Sequence, residues 1–247
     1  MSVADTTQPD IRSVERPPER VQPLEAVRRV LAGDQPDELL GYRLDAFHVG
    51  CVAWGRRAGE SLRLLGWELS TEIVAVAVDA DTAWGWVAVT ESSLRRVRRG
   101  LRTYTPLAGG VAIGSVEAGV EGFRESHRQA LAAAGVARIS GAAITFYDDV
   151  ALEALALRDL AAARRFVHHE LGSLEGDDVR ARELRETLRA YFAAGQHASS
   201  AAAILGVHER TVGNRIRAAE ERLGRPPRGA PAELELALRL RELLVGR

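Results

Sequence analysis

The chain has 247 residues, 46% hydrophobic and 27% charged, so it can bury a sizeable core in one large or two modest domains and is not a disordered chain. Its 33 basic residues, every one of them Arg, face 34 acidic ones; the net charge of -1 gives no whole-chain sign of a polyanion binder, and such a site must come from local segregation. One cysteine, Cys51, excludes an internal disulfide framework. No run approaches the roughly 18 apolar residues of a membrane span, and the polar start carries no secretory pattern, so a cytoplasmic location is expected.

Residues 1–36 hold five of the nine prolines and read as a flexible lead. Only Leu24 to Leu31 looks helical, with Leu24, Val27 and Leu31 at i, i+3 and i+7 and Gly33 as a stop; so short a helix needs a partner surface. From 37 to 150 the pattern predicts a strand over 46–54, a helix over 59–65, strands over 72–78 and 84–90 joined by an Asp79-to-Thr82 turn, and a helix over 91–101. A strand over 110–115, a helix over 120–134 and a strand over 142–146 follow. That order suggests an antiparallel-containing sheet with helices on one face, a ferredoxin-like α+β domain.

Beyond Val150 no strand signal survives, and an all-α region is expected. One helix is predicted over 152–171, a helical linker spans 151–180, and a further helix carries Leu184, Leu188, Tyr191 and Phe192 on one face before Gly195. In 181–247, Ser199 or Ser200 can cap a short helix holding Ala202 and Leu205, Gly206-Val207 makes a tight turn, and a longer helix starts at Glu209. Its apolar residues Val212, Ile216, Ala219 and Leu223 lie within about 60° of one another, and Arg210, Asn214, Arg217 and Glu221 occupy the opposite face.

A short Ala-centred helix, a Gly turn and a second helix exposing Arg and Asn meet the needs of a helix-turn-helix reader. Ala permits a close crossing, and Arg and Asn can pair with guanine and adenine in the major groove. Any surface helix also has a polar face, so an ordinary helical hairpin fits the same residues. Dividing the chain at 36, 150 and 175 leaves segment charges of -1, -2, -1 and +3, and only the C-terminal segment is positive. A charge of +3 is modest, so tight binding calls for a dimer that doubles the phosphate contacts.

The C-terminal segment resembles the helix-turn-helix domain of the PucR/CdaR family of bacterial transcriptional regulators. The resemblance rests on Ala201 to Ala203, Val207-His208, Thr211-Val212 and Arg215-Ile216; where the family often has Asn and Tyr, this chain has Arg210 and Asn214, which bears on base preference. Leu40 to Gly55 and Gly109 to Ala134 are similar to the degenerate GGDEF-like domain that precedes the reader in this family, so the likeness spans roughly residues 24–244. It implies a further sensory domain ahead of these two, of which the Leu24 to Leu31 helix looks like a remnant.

The remaining residues offer less chemistry. The hairpin that would hold nucleotide and metal in a GGDEF cyclase is Val78 to Trp84 here, without a Gly pair or a catalytic Glu; Asp79 and Asp81 suit a turn better than a cation. Gly109-Gly110 with Gly114 fits no phosphate-loop spacing and reads as a turn before a strand. Arg95, Arg96, Arg98 and Arg99 read as a solvated helix face rather than an anion site. Cys51 reads as a small buried residue, and the adjacent His168-His169 point to different helix faces. Trp54, Trp67, Trp84 and Trp86 suit core packing over effector stacking. His208 can bond either the backbone or a phosphate.

These readings converge on a DNA-binding transcriptional regulator with no enzyme activity and neither cofactor nor metal. Its expected partners are double-stranded DNA, a second copy in a homodimer or higher homo-oligomer, and a small-molecule effector, but no membrane. Arg210, Asn214 and Arg217 are expected at base edges, and Ser199, Ser200, Thr211 and Arg215 at phosphates, with His208 completing the DNA-binding set. The alternative is a small-molecule sensor or interaction protein whose helical tail dimerises through Leu234, Leu236, Ala237, Leu238, Leu240, Leu243 and Leu244.

Overall fold

The computed structural model describes residues 20–21, 24–34 and 42–245. Most of the flexible lead expected over 1–36 lies outside the described residues. The chain divides into two compact units, one of residues 1–109 and 116–126, the other of 110–115 and 127–247.

In the first unit, β2 (Phe47–Trp54), β3 (Ile73–Ala77) and β4 (Thr82–Val89) form the sheet, with a two-residue β1 (Arg20–Val21) at its edge in the order β1-β3-β4-β2. β4 is antiparallel to both neighbours, in register from Phe47↔Val89 to Trp54↔Thr82 and from Ile73↔Val87 to Ala77↔Ala83. The predicted hairpin closes through Val78 N–H to Thr82 O at 2.9 Å, and Asp79 Oδ1 accepts the Asp81 N–H at 2.9 Å. Both hydrogen bonds are those of a turn former. The helix α2 (Ala58–Leu69) packs on β2, β3 and β4 and against α3 (Leu94–Thr103).

Helix α1 (Leu24–Ala32) finds its partner surface inside this unit. Ala26, Val27 and Val30 are buried with Tyr42, Leu44, Val74, Val76, Trp86 and Phe123. The helix therefore completes the core of the sheet unit. Trp86 stacks on Phe123 at 4.2 Å and donates its Nε1–H to the Phe123 carbonyl at 2.9 Å. The expectation that all four tryptophans are core residues needs correction, because Trp67 on α2 is 59% exposed. Cys51 is fully buried, and burial pushes its thiol pKa up to about 12, which suits a packing residue and not a nucleophile. At Gly109, φ is +77° and a Cβ would run into the Trp54 carbonyl, so this glycine serves a tight backbone crossing ahead of the next strand.

The second unit contains residues 110–115 of β5 (Gly110–Ala118), paired in parallel with β6 (Ile144–Phe146) in register from Val111↔Ile144 to Ile113↔Phe146, and residues 127–140 of α4 (Gly119–Ser140). Helices follow: α5 (Tyr147–Ala156), α6 (Leu160–Leu171), α7 (Val179–Ala193), α8 (Ala198–Leu205), α9 (Glu209–Leu223) and α10 (Pro231–Val245). The single helix predicted over 152–171 is thus two. The break is built by Asp159, whose extended backbone (φ -125°, ψ 93°) and carboxylate, accepting the Ala162 N–H at 2.8 Å, cap α6.

Two cores hold the helices. Ala163, Val167, Leu171 and Leu174, within the stretch expected to link the domains, pack with Leu184, Leu188, Ala219, Leu234, Ala237, Leu238 and Leu240. The apolar α10 surface offered above as a dimerisation face is therefore largely spent within the unit. Ala190, Tyr191, Ala201, Ala202 and Val212 form the other core, flanked by Leu205, Val207 and Ile216. The buried guanidinium of Arg185 donates to the carbonyls of Leu174 and Gly176, and Arg241 donates to the Glu175 carbonyl at 2.8 Å, so two arginines pin the loop that leads into α7.

Candidate nucleic-acid interface

Helices α7, α8 and α9 touch one another pairwise and form a three-helix motif. Ala201 and Ala202 face its centre, where a larger side chain would push α8 off α7 and α9. The α7–α8 connection turns through left-handed backbone at Gly195 (φ +61°) and Gln196 (φ +65°), and α8 ends on Gly206 at φ +65°. The two glycines expected as stops occupy those positions.

Helix α9 shows the two faces read from its sequence. Val212 and Ala219 are fully buried and Ile216 and Leu223 partly so, whereas Arg210, Asn214, Arg217 and Glu221 are exposed. Arg217 donates to Asn214 Oδ1 at 2.9 Å, one turn apart on the outward face. Neither Arg210 nor Arg217 pairs with a carboxylate among the described residues. Other arginines of the helical region are committed: Arg222 to Asp178 at 3.5 Å, Arg225 to Glu170 and Arg241 to Asp177 at 2.5 Å.

The remaining site residues divide. Ser199 and Ser200 lie exposed in the first turn of α8 and do not cap it; His197 holds the cap position without a side-chain bond. Thr211 is half-buried at the start of α9. His208 caps α9, its Nδ1 accepting the Arg210 N–H at 3.1 Å, which directs the ring to the backbone. Arg215 turns inward to an ion pair with Glu183 of α7, and Arg180 joins the same carboxylate. Those two arginines hold the Glu183 pKa below its usual value, Arg180 through its hydrogen bond chiefly and Arg215 through its charge. The sequence contains the i, i+3 pair of Arg180 and Glu183, but nothing in it joins them to Arg215, 32 residues on.

A family model for the PucR C-terminal helix-turn-helix domain matches residues 184–241, and one for the GGDEF-like domain matches residues 37–136. The chain belongs to the PucR family of transcriptional regulators. The α+β class followed by an all-α region, expected from sequence, is the arrangement observed. The PucR-type reader match begins at Leu184 and ends at Arg241, taking in most of α7, all of α8 and α9 and much of α10.

The chain is also similar to the crystal structure of a regulator of polyketide synthase expression from Bifidobacterium adolescentis, at 18% identity, 90% coverage of this chain, 97% of that one and a TM-score of 0.39. No curated protein matches the chain. Among the described residues no helix is long and apolar enough to cross a membrane.

Proposed function

We propose that this PucR-type regulator binds duplex DNA as a dimer, with the outward face of α9 in the major groove. The carrying observation is the placement of Arg210, Asn214 and Arg217 together on that face, with neither arginine committed to a carboxylate among the described residues. Bidentate donors at these positions suit guanine and adenine edges. Ser199 and Ser200, exposed in the first turn of α8, suit backbone phosphates, as does the half-buried Thr211. Arg215 and His208 fit the set less directly. Arg215 braces α9 against α7, and His208 closes its first turn.

The reading includes no enzyme activity, supported by a Val78-to-Trp84 hairpin that lacks a Gly pair and a catalytic Glu. It divides the chain into a lead over 1–36, an α+β domain over 37–150 serving dimerisation or effector response, a helical linker over 151–180 and the reader over 181–247. The alternative of a helical dimerisation tail loses support from the burial of Leu234, Ala237, Leu238 and Leu240 within their own unit.

A gel-shift with genomic fragments at 50 and 200 mM salt tests the proposal. Selection of particular fragments and a steep loss of affinity at the higher salt, about tenfold or more for several phosphate contacts, are expected. Equal retention of all fragments, or none, overturns it.

A further inference from the structure

Helix α3 of the first unit carries Arg95, Arg96, Arg98, Arg99 and Arg102 and no acid. At 100° per residue Arg98, Arg102, Arg95, Arg99 and Arg96 fall in that order across an arc of about 160°, with Val97 and Leu101 on the opposite side. The structure keeps that division. All five arginines are exposed, whereas Val97 and Leu101 are buried, and a Cβ on Gly100 would meet Leu69 of α2, the helix against which α3 packs.

An ordinary surface helix mixes its charges, so that an arginine finds a carboxylate three or four residues away. Helix α3 offers none. The nearest acid in sequence, Glu91, precedes the helix, and among the described residues the guanidiniums of Arg95, Arg96, Arg98 and Arg99 pair with no carboxylate. Glu68 of α2, whose charge acts on Tyr104 just beyond α3, is one carboxylate against five guanidiniums. Arg95 with Arg98 and Arg99, and Arg102 with the same two, stand at the spacings where like charges repel, so the row costs stability until an anion meets it.

The shape of the row selects among anions. A convex helix face encloses nothing, so a small anion gains little from it, while an extended polyanion meets several guanidiniums at once. Burial of Val97 and Leu101 leaves α3 no apolar face to insert into lipid, and the helix has no aromatic on which an unpaired base could stack. Arg95, Arg98 or Arg99, and Arg102 recur along about 10 Å of helix, and planar guanidinium forks match phosphate oxygens. The helical region leaves phosphate contacts to be filled from elsewhere, because Arg215, Arg222 and Arg225 are spent on carboxylates.

We infer that α3 is a second, sequence-independent DNA contact, its guanidiniums lying on backbone phosphates while α9 reads bases. The inference rests on duplex DNA being the partner, but not on the placement of α9.

Fluorescence anisotropy of the full chain from 50 to 200 mM salt, with the duplex held best in the gel-shift and an unrelated duplex of equal length, tests this. The triple variant Arg95→Gln/Arg98→Gln/Arg99→Gln should lose about tenfold or more at 50 mM, by the same factor on both duplexes, and its salt slope should flatten by about 0.9 for each phosphate contact removed. The corresponding triple Arg→Lys variant should keep the slope, which a packing role would not predict, and Arg217→Ala should weaken the better duplex alone. Unchanged affinity and slope in the folded triple Gln variant, a loss confined to one duplex, or a loss of binding to phosphatidylglycerol vesicles with duplex binding intact overturns the inference. Should the triple Gln variant fail to fold, Arg95→Gln and Arg99→Gln singly, each expected to flatten the slope by about 0.9, decide. A parent that holds both duplexes equally yet loses slope in the triple variant refutes base reading by α9 and keeps this contact; a parent that discriminates and ignores the triple variant does the reverse. No binding of either duplex overturns both.

Discussion

Arg215 and Arg217 stand two positions apart on α9 and meet different neighbours, because two residues of helix rotate a side chain by about 200°. Arg215 reaches Glu183, whereas Arg217, among the described residues, reaches Asn214 on its own helix. Arg217→Ala should cost about 1–3 kcal/mol on a specific duplex with an unchanged melting temperature. Arg215→Ala should do the opposite first, lowering the melting temperature by unseating α9 from α7. Titrating both variants against one cognate fragment beside thermal melts checks the pair, and equal affinity of Arg217→Ala and the parent removes Arg217 from the base-reading set. At this scale the outward face of α9 was legible, since helical periodicity alone separates Arg210, Asn214 and Arg217 from Val212 and Ala219. The commitment of Arg215 was not, because its partner lies on another helix.

The break between α5 and α6 belongs to a capping residue. Apolar periodicity runs on across Leu155, Leu157 and Leu160, so a pattern of faces predicts one helix there; the N-cap preference of Asp159 was the available signal. Asp159→Ala should cost about 1 kcal/mol of stability, read from urea unfolding midpoints, since it leaves the Ala162 N–H without its acceptor. A midpoint equal to the parent's would show that the break is held by packing alone. The reverse error occurred at α8, where good capping residues, Ser199 and Ser200, sit inside the first turn and His197 takes the boundary. The strands and hairpin of the sheet were easier, because alternation and the Asp79–Asp81 turn act locally.

Over the whole molecule, buried histidines and paired carboxylates set the response to acid. Burial pushes the His127 pKa down to about 4 from 6.5 and also lowers that of His48, whose Nε2–H is placed to donate to the Leu44 carbonyl and whose Nδ1 accepts from Tyr42. A lowered histidine binds fewer protons folded than unfolded. Its contribution is therefore complete above pH 6.5 and is lost as the pH falls from there toward about 4, by up to about 3 kcal/mol for His127. The lowered Glu183 and Asp178 act in the same direction in a lower window, beneath their ordinary values of 4.5 and 3.8. Unfolding measured from pH 8 to 4 should show a plateau above pH 7 and a decline that begins near 6.5; constant stability between pH 7 and 5 would contradict it.

The sequence by itself determined most element types, the two faces of α9 and the Gly stops, because repeat distances of two and 3.6 residues and left-handed backbone positions are written locally, and its resemblance to a known family supplied the two domain types. Tertiary structure decided what each surface meets. It seated α1 in the sheet unit, buried α10 and turned Arg215 to Glu183. Net charge shows the same division. A balance of 33 against 34 is neutral for the chain, and the +3 of its last segment names only a region. Ion pairing then separates the arginines spent on holding helices together from Arg210 and Arg217, since a carboxylate within reach neutralises a guanidinium whatever their separation along the chain.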